Sequence, residues 1–417
     1  IQTDIAMTEK YRYFPQFETG GTFGVNMREL GGRILSFNYQ SIYASEDERL
    51  AQHEAFISRH YLAQFNEETI KPKRFEHCGE PCPVVCKKLF GPYKKDYEPY
   101  HALGPQIGVF DQRAAELIND AVDAMGFDSI QAGGTLAWIM ELVAEGLIAP
   151  EDFGFPPAAE LTFRFTADLA DFELVADSLR NARYAAAVLD ALLFDPRAEL
   201  FCQGIRAAAE TLDHRYGIDA TDRAVFYAHG DEGHFVPNQY WVPGMFSPMP
   251  IMGKYYVYYG GEFIPPRELG RKNVERMVYE LFNDNSGICR FHRKWAEVIT
   301  DEILAAHYGL DIDYKAHQYN LAREIYRREG AKAVPWASRR VADLIYGYLQ
   351  TWQREGLKNP ELDAWLARFE QDPRQAARAY WDEVRCGIED AFNAGHKSVP
   401  DVFSRGQLAK KSPAASH

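Results

Sequence analysis

Three cysteines fall within nine residues in "CGEPCPVVC", as Cys78, Cys82 and Cys86, and two prolines are threaded between them. Proline holds the residue before it in extended geometry. Pro81 and Pro83 therefore keep Glu80 and Cys82 out of helix, and the thiols are expected on a loop. A loop can wrap an inorganic core and aim backbone amides at its sulfurs. The spacing is C-x3-C-x3-C, without the close C-x2-C pairs of most zinc sites. Three local cysteines with a remote fourth, Cys289 in "DNSGIC", form a set able to bind a [4Fe–4S] cluster. On spacing alone, a structural zinc and plain buried thiols stay open beside it. Cys202 and Cys386 are scattered, so the six cysteines do not form a disulfide framework.

A second pattern occurs twice. "DAMGFD" (Asp123, Gly126, Asp128) and "DNSGIC" (Asp284, Gly287, Cys289) both read Asp-x-x-Gly-apolar, and each lies between two helical patterns. One copy alone is ordinary turn chemistry, in which Asp bonds local amides and Gly supplies positive φ. Two copies in one context, the second ending in cysteine, point to a shared task.

The elements that position these residues read as helices. Gln112 to Met125 carries apolar residues at Ala114, Leu117, Ile118, Ala121, Val122 and Met125, with Asp111 as N-cap and Gly126 as stop. A second helix is expected from near Thr135, a third around Val274 to Phe282 and a fourth from Phe291. Residues 318–395 read as further helices broken at "GLKNP" and "DPRQ". The Gly, Pro and aromatic content of 226–250 predicts a long ordered loop. The fold expected is mainly α, two all-α domains around a cofactor cleft. The first spans 1–200 with the three-cysteine loop, the second spans 201–400 with the fourth cysteine, and 401–417 forms a disordered tail.

Composition narrows the partners. The chain has 417 residues, 46% hydrophobic and 25% charged, with a net charge of -14. That charge argues against nucleic acid or an anionic membrane as the main partner. No apolar run reaches the length of a membrane span and no signal peptide opens the chain, so a cytoplasmic location is expected.

Together with "DYEPYHALGPQIGVFD", "MGFDSIQAGGTLAWIMEL", "NDNSGICRFHRKW" and "TGGTFGVNMRELGGRILSFNY", these motifs resemble the C-terminal two-thirds of tungsten-dependent aldehyde:ferredoxin oxidoreductases. The resemblance runs from about residue 19 to about 300. It implies that Cys78, Cys82, Cys86 and Cys289 bind one [4Fe–4S] cluster. It also implies that the two turns, with Asp123, Gly126 and Asp128 in one and Asp284 and Gly287 in the other, grip a tungsten (or molybdenum) bis-pterin. Asp side chains supply acceptors for the donors on a pterin edge. Glu98 in "DYEPY" falls at the family's acidic residue near the metal, implying a proton acceptor as a hydrated aldehyde is oxidised. Where the family has its histidine loop this chain reads "YAHGDEGHF", so His229 or His234 stands in. "LIND" (Leu117 to Asp120) lacks the Glu-x-x-His pair of an interface iron, so a dimer built on that iron is not expected. The family's preceding β-rich domain has no counterpart here, so the chain is expected to be a fragment or one product of a split gene.

The implied function is oxidation of aldehydes to carboxylic acids, with electrons leaving through the cluster to ferredoxin or an iron–sulfur partner subunit. One alternative is the catalytic subunit of a class II benzoyl-CoA reductase, with "NQYWVPGMFSPMP" walling a pocket for an aromatic ring. Another is a non-enzymatic helical module with a structural zinc.

Overall fold

The computed structural model describes residues 8–72, 84–229, 233–237, 240–246, 248–249, 254–255, 262–289, 293–329 and 337–395. Helix dominates, and the strands described form three two-stranded antiparallel pairs. The mainly α, multihelical expectation is met.

The chain enters through a helical turn at Thr8–Arg12 and then α1 (Gly21–Leu30). A continuous helical run over 46–70, α2, is opened by a capping box in which Ser45 and Glu48 satisfy each other's amides. A small hairpin, β1 (Lys88–Phe90) with β2 (Tyr93–Lys95), leads into α3 (Tyr97–Ala102). Next come α4 (Gln112–Ala124), α5 (Ser129–Ala144), α6 (Leu174–Phe194) and α7 (Ile205–Tyr216). These elements enclose one apolar core, with Phe23, Phe65, Tyr97, Ile118, Trp138 and Val188 at its centre. Asp111 caps α4 as expected, accepting from the amides of Arg113 (2.9 Å) and Ala114 (3.2 Å). The next helix begins at Ser129, six residues before the expected Thr135, because Asp128 caps it through the Gln131 amide (2.8 Å).

Residues 226–250 depart from the loop expectation. They hold β3 (Tyr227–His229) paired with β4 (Gly233–Phe235), and β5 (Pro248–Met249), which pairs with β6 (Lys254–Tyr255). Strands this short carry too few residues for a period-two pattern to emerge from the sequence.

A second apolar core gathers α8 (Pro266–Ser286), α10 (Tyr314–Glu329), α11 (Arg339–Arg354), α12 (Pro360–Gln371) and α13 (Pro373–Ala394) around Leu269, Leu344, Trp365, Trp381 and Ile388. Between α8 and α10 lies α9 (Arg293–Tyr308). The expected breaks are in place. Asn359 caps α12 with Pro360 at its first position, and Asp372 caps α13 with Pro373 likewise.

The seam between the cores is polar and buried. Glu141 of α5 meets Arg340 of α11 (Nη2 to Oε1, 2.6 Å), and both are almost fully shielded from solvent. Asn38 donates to Glu141 (2.5 Å) and to the Arg223 carbonyl (2.9 Å), while Arg340 donates to the Asn38 carbonyl. Phe37, Asn38 and Tyr39 all have positive φ (52°, 49° and 64°), a costly conformation for three consecutive non-glycine residues. The hydrogen bonds of the seam hold that backbone in place. No helix among the described residues is long and apolar enough to cross a membrane.

Candidate active site

Glu98 sits in the first turn of α3, half-buried, with its carboxylate deep in the mass of the protein. Tyr240 donates its hydroxyl to Glu98 Oε1 at 3.3 Å, and Asn26 of α1 donates to the Tyr240 oxygen at 3.0 Å. The Tyr240 ring lies on Tyr97, with centroids 4.5 Å apart. Burial, reinforced by the neighbouring Asp96 carboxylate, pushes the Glu98 carboxyl up to about 7. The Tyr240 hydroxyl and the Lys87 ammonium pull in the opposite direction. A group at that position exchanges protons readily near neutral pH, as a general base requires.

Asp96 is the N-cap of α3. It accepts from the Thr22 hydroxyl and the Tyr97 amide, and pairs with Lys87 at 2.8 Å. The start of α1, the root of the cysteine loop and the start of α3 thus converge on one corner. Tyr11 feels the same corner: burial, then Glu29, Glu98 and Cys86, push its hydroxyl well above the usual tyrosine range. His101, one turn beyond Tyr97, is buried, and burial lowers its imidazole to about 4. It stays neutral, bridging the Tyr97 hydroxyl (3.1 Å) and the Leu35 carbonyl (3.0 Å).

Cys86 ends the cysteine loop as a buried thiol in no disulfide, and its carbonyl accepts from the Thr22 amide at 2.8 Å. Cys78 and Cys82 lie outside the described residues. Cys289 is a half-buried thiol in no disulfide, two residues beyond Gly287. Among the described residues no three His, Cys, Asp or Glu side chains gather to hold a metal. What is described of the donor set fits thiolate ligation. Cys86 is buried and in no disulfide, and it is followed directly by Lys87 and Lys88.

Both D-x-x-G stretches are helix C-termini closed by a left-handed glycine. Gly126 (φ 78°) stops α4, with the Phe127 amide donating to the Val122 carbonyl at 3.1 Å, and Gly287 (φ 66°) stops α8. Asp123, Gly126 and Asp128 form an exposed edge, on which Asp128 uses Oδ1 to cap α5. The Asp284 side chain lies outside the described residues, while its neighbour Asn285 donates to Gln318 of α10 at 2.6 Å.

Both histidines lie on the β3–β4 hairpin. His234 in β4 meets Gln131 Nε2 at 3.0 Å and lies edge-on to Phe226. That tie, with the Val236 amide donating to Gln131 Oε1 (3.1 Å), docks β4 on the first turn of α5. His229 ends β3 opposite Gly233, and its side chain lies outside the described residues. The aromatics Tyr240, Trp241 and Phe246 are buried in the two cores.

Asn26, Thr22 and Tyr240 carry no local signal of a functional role. Tyr240 lies in an aromatic run, and nothing local marks it as the partner of a glutamate 142 positions away.

Residues 8–188 match the family model described as aldehyde ferredoxin oxidoreductase, domains 2 & 3. The chain is 36% identical over 389 residues to a glyceraldehyde-3-phosphate:ferredoxin oxidoreductase of Pyrococcus furiosus, a match covering 90% of this chain and 58% of that protein. An uncharacterized protein of Methanocaldococcus jannaschii is 36% identical over 374 residues, covering 87% and 58%. A tungsten-containing aldehyde ferredoxin oxidoreductase of Pyrococcus furiosus is 31% identical over 120 residues, covering 25% and 19%. The chain thus spans 58% of the length of the first two relatives. The cysteine loop, the acidic corner at Glu98 and the first D-x-x-G turn all lie inside the matched 8–188, the part of the chain that is similar to domains 2 and 3 of the aldehyde ferredoxin oxidoreductase family.

Proposed function

We propose that this chain forms the cluster-binding and proton-accepting part of an oxidoreductase that converts an aldehyde to a carboxylic acid. The observation that carries the reading is Glu98, poised to about 7 at the corner where the cysteine loop meets α1 and α3. Water supplies the added oxygen, and two electrons and two protons leave as aldehyde and water become acid. Glu98 accepts one of those protons on its carboxylate, while Tyr240 and Asn26 fix the orientation of Oε1. His229 and His234 are the candidates for a second proton-handling group.

Cys78, Cys82, Cys86 and Cys289 would hold a [4Fe–4S] cluster. Asp123, Gly126, Asp128, Asp284 and Gly287 would hold a tungsten (or molybdenum) bis-pterin. When bound, these groups supply the two-electron redox chemistry and the route by which electrons depart. The electron acceptor is ferredoxin or an iron–sulfur partner subunit in the cytoplasm. The two proposed domains, 1–200 and 201–400, would each bring one turn to the cofactor.

Similarity over 90% of the chain to a glyceraldehyde-3-phosphate:ferredoxin oxidoreductase makes that phosphorylated aldehyde the first substrate to try. The test is anaerobic purification with iron and tungsten analysis, followed by aldehyde-dependent reduction of a viologen dye. Glyceraldehyde-3-phosphate is compared there with unphosphorylated aldehydes. Metal-loaded protein that oxidises no aldehyde would refute the reading.

A further inference from the structure

Lys88 is fully buried at the start of β1, immediately after the cysteine loop. Its Nζ donates to two backbone carbonyls, Val85 and Arg12, both at 2.8 Å. One bond reaches back into the loop root next to Cys86, and the other reaches the helical turn that precedes α1. Val85 has φ 47°, a strained conformation for a β-branched residue, so the chain bends sharply just before Cys86. The Cys86 carbonyl is held in turn by the Thr22 amide at 2.8 Å.

Gly21 makes this packing possible. A Cβ there would lie 2.8 Å from Lys88 Cγ and 3.2 Å from the Cys86 carbonyl oxygen, and Gly21 has φ 73°. Residues 20–22, 85–88 and 12 thus lock together around one buried lysine nitrogen. Burying that nitrogen carries a desolvation cost that an apolar side chain of similar length would avoid. Retaining the lysine there makes sense if holding the loop matters more than the stability it costs.

We propose that Lys88 is a positioning residue for the cluster: a strut that fixes the Val85 carbonyl and so aims the Cys86 sulfur. The inference rests on the cluster assignment made above. Methionine can fill the same space without donating a hydrogen bond, so Lys88→Met leaves the apolar packing in place and removes only the strut.

The experiment compares anaerobically prepared wild-type, Lys88→Met and Lys88→Gln protein. It records thermal unfolding of the metal-free chain, iron per chain, visible absorbance, and the reduction potential and electron paramagnetic resonance of the reduced cluster. Wild type is expected to carry about four irons per chain. Lys88→Met is expected to unfold at the wild-type temperature or above, yet to keep less than half the iron and show a shifted potential in what remains. Lys88→Gln, with one amide donor group left, falls between the two, and reads the effect should the methionine variant not fold. Full iron with unchanged potential and resonance in the variants, beside a wild type that has its cluster, overturns the strut. A wild type without iron overturns the cluster assignment, and the strut falls with it.

Discussion

Two glutamates, Glu141 fully buried and Glu98 half-buried, have different surroundings. Glu141 is met by a guanidinium, Arg340, and by the amides of Asn38 and Gln40. Glu98 faces its own backbone amide, a tyrosine hydroxyl at 3.3 Å, the more distant charge of Lys87 and a second carboxylate, Asp96. Burial pushes both carboxyls up. At Glu141 a cation and two amides oppose that push, and the result is a strut between two cores. At Glu98 the nearest anion reinforces it, and the result is a group balanced between its two protonation states. A fully satisfied buried carboxylate reads as architecture, whereas an under-compensated one at the junction of three chain segments reads as chemistry.

That contrast can be broken at either end. The largest stability effect is expected at the seam. Arg340→Ala leaves the Glu141 charge buried without its cation and should cost about 3–5 kcal/mol in urea unfolding. The pair Arg340→Met with Glu141→Leu should recover most of it, because apolar residues of similar volume replace both charges. If Arg340→Ala unfolds at the wild-type denaturant midpoint, the seam is not what joins the cores.

At the other end, Glu98 ties stability to pH with a defined sign. Its folded value of about 7 lies above the ordinary 4.5, so the folded state holds a proton that the unfolded chain releases. Its contribution is present in full below 4.5 and is lost as pH rises through about 7. Glu98→Gln should flatten the decline in stability across that window while leaving the fold intact. An undiminished decline would place the titrating group elsewhere.

A smaller effect is expected at Tyr240. Its hydroxyl stabilises the charged form of Glu98, so Tyr240→Phe should move the Glu98 midpoint upward by roughly half to one pH unit. Carboxyl-labelled glutamate spectra, with Glu98→Gln identifying the resonance, read this directly. An unmoved midpoint would cut Tyr240 out of the corner.

The smallest expected effect is at the first D-x-x-G turn, where Asp128→Ala should cost about 1 kcal/mol as a lost helix cap. Asp123→Ala, on the exposed edge beside it, should leave the unfolding midpoint of the metal-free chain in place. Equal losses would mean that Asp123 also serves the fold.

What could be read from sequence follows from how local each signal is. Asp111, Gly126, Gly287, Pro360 and Pro373 act within a turn of their own position, and the helices they bound stand as expected. Asp128 looked like a ligand and proved also to be a cap, which moved the start of α5 back to Ser129. Strands of two or three residues in 226–250 carried no period to detect. The two features that separate architecture from chemistry are non-local. Arg340 meets Glu141 across 199 positions and Tyr240 meets Glu98 across 142, distances over which one sequence holds no pairing signal. Glu98 itself was legible only through the family motif around it, because a lone glutamate between two tyrosines is otherwise an unremarkable surface group.

The most direct test of the account compares wild-type protein with Glu98→Gln at matched iron and tungsten content, in steady-state aldehyde oxidation with a dye acceptor. The amide keeps the shape and can no longer take the proton, so the account predicts that kcat falls by about 100-fold or more with the metal content unchanged. A variant that turns over at the wild-type rate would contradict it.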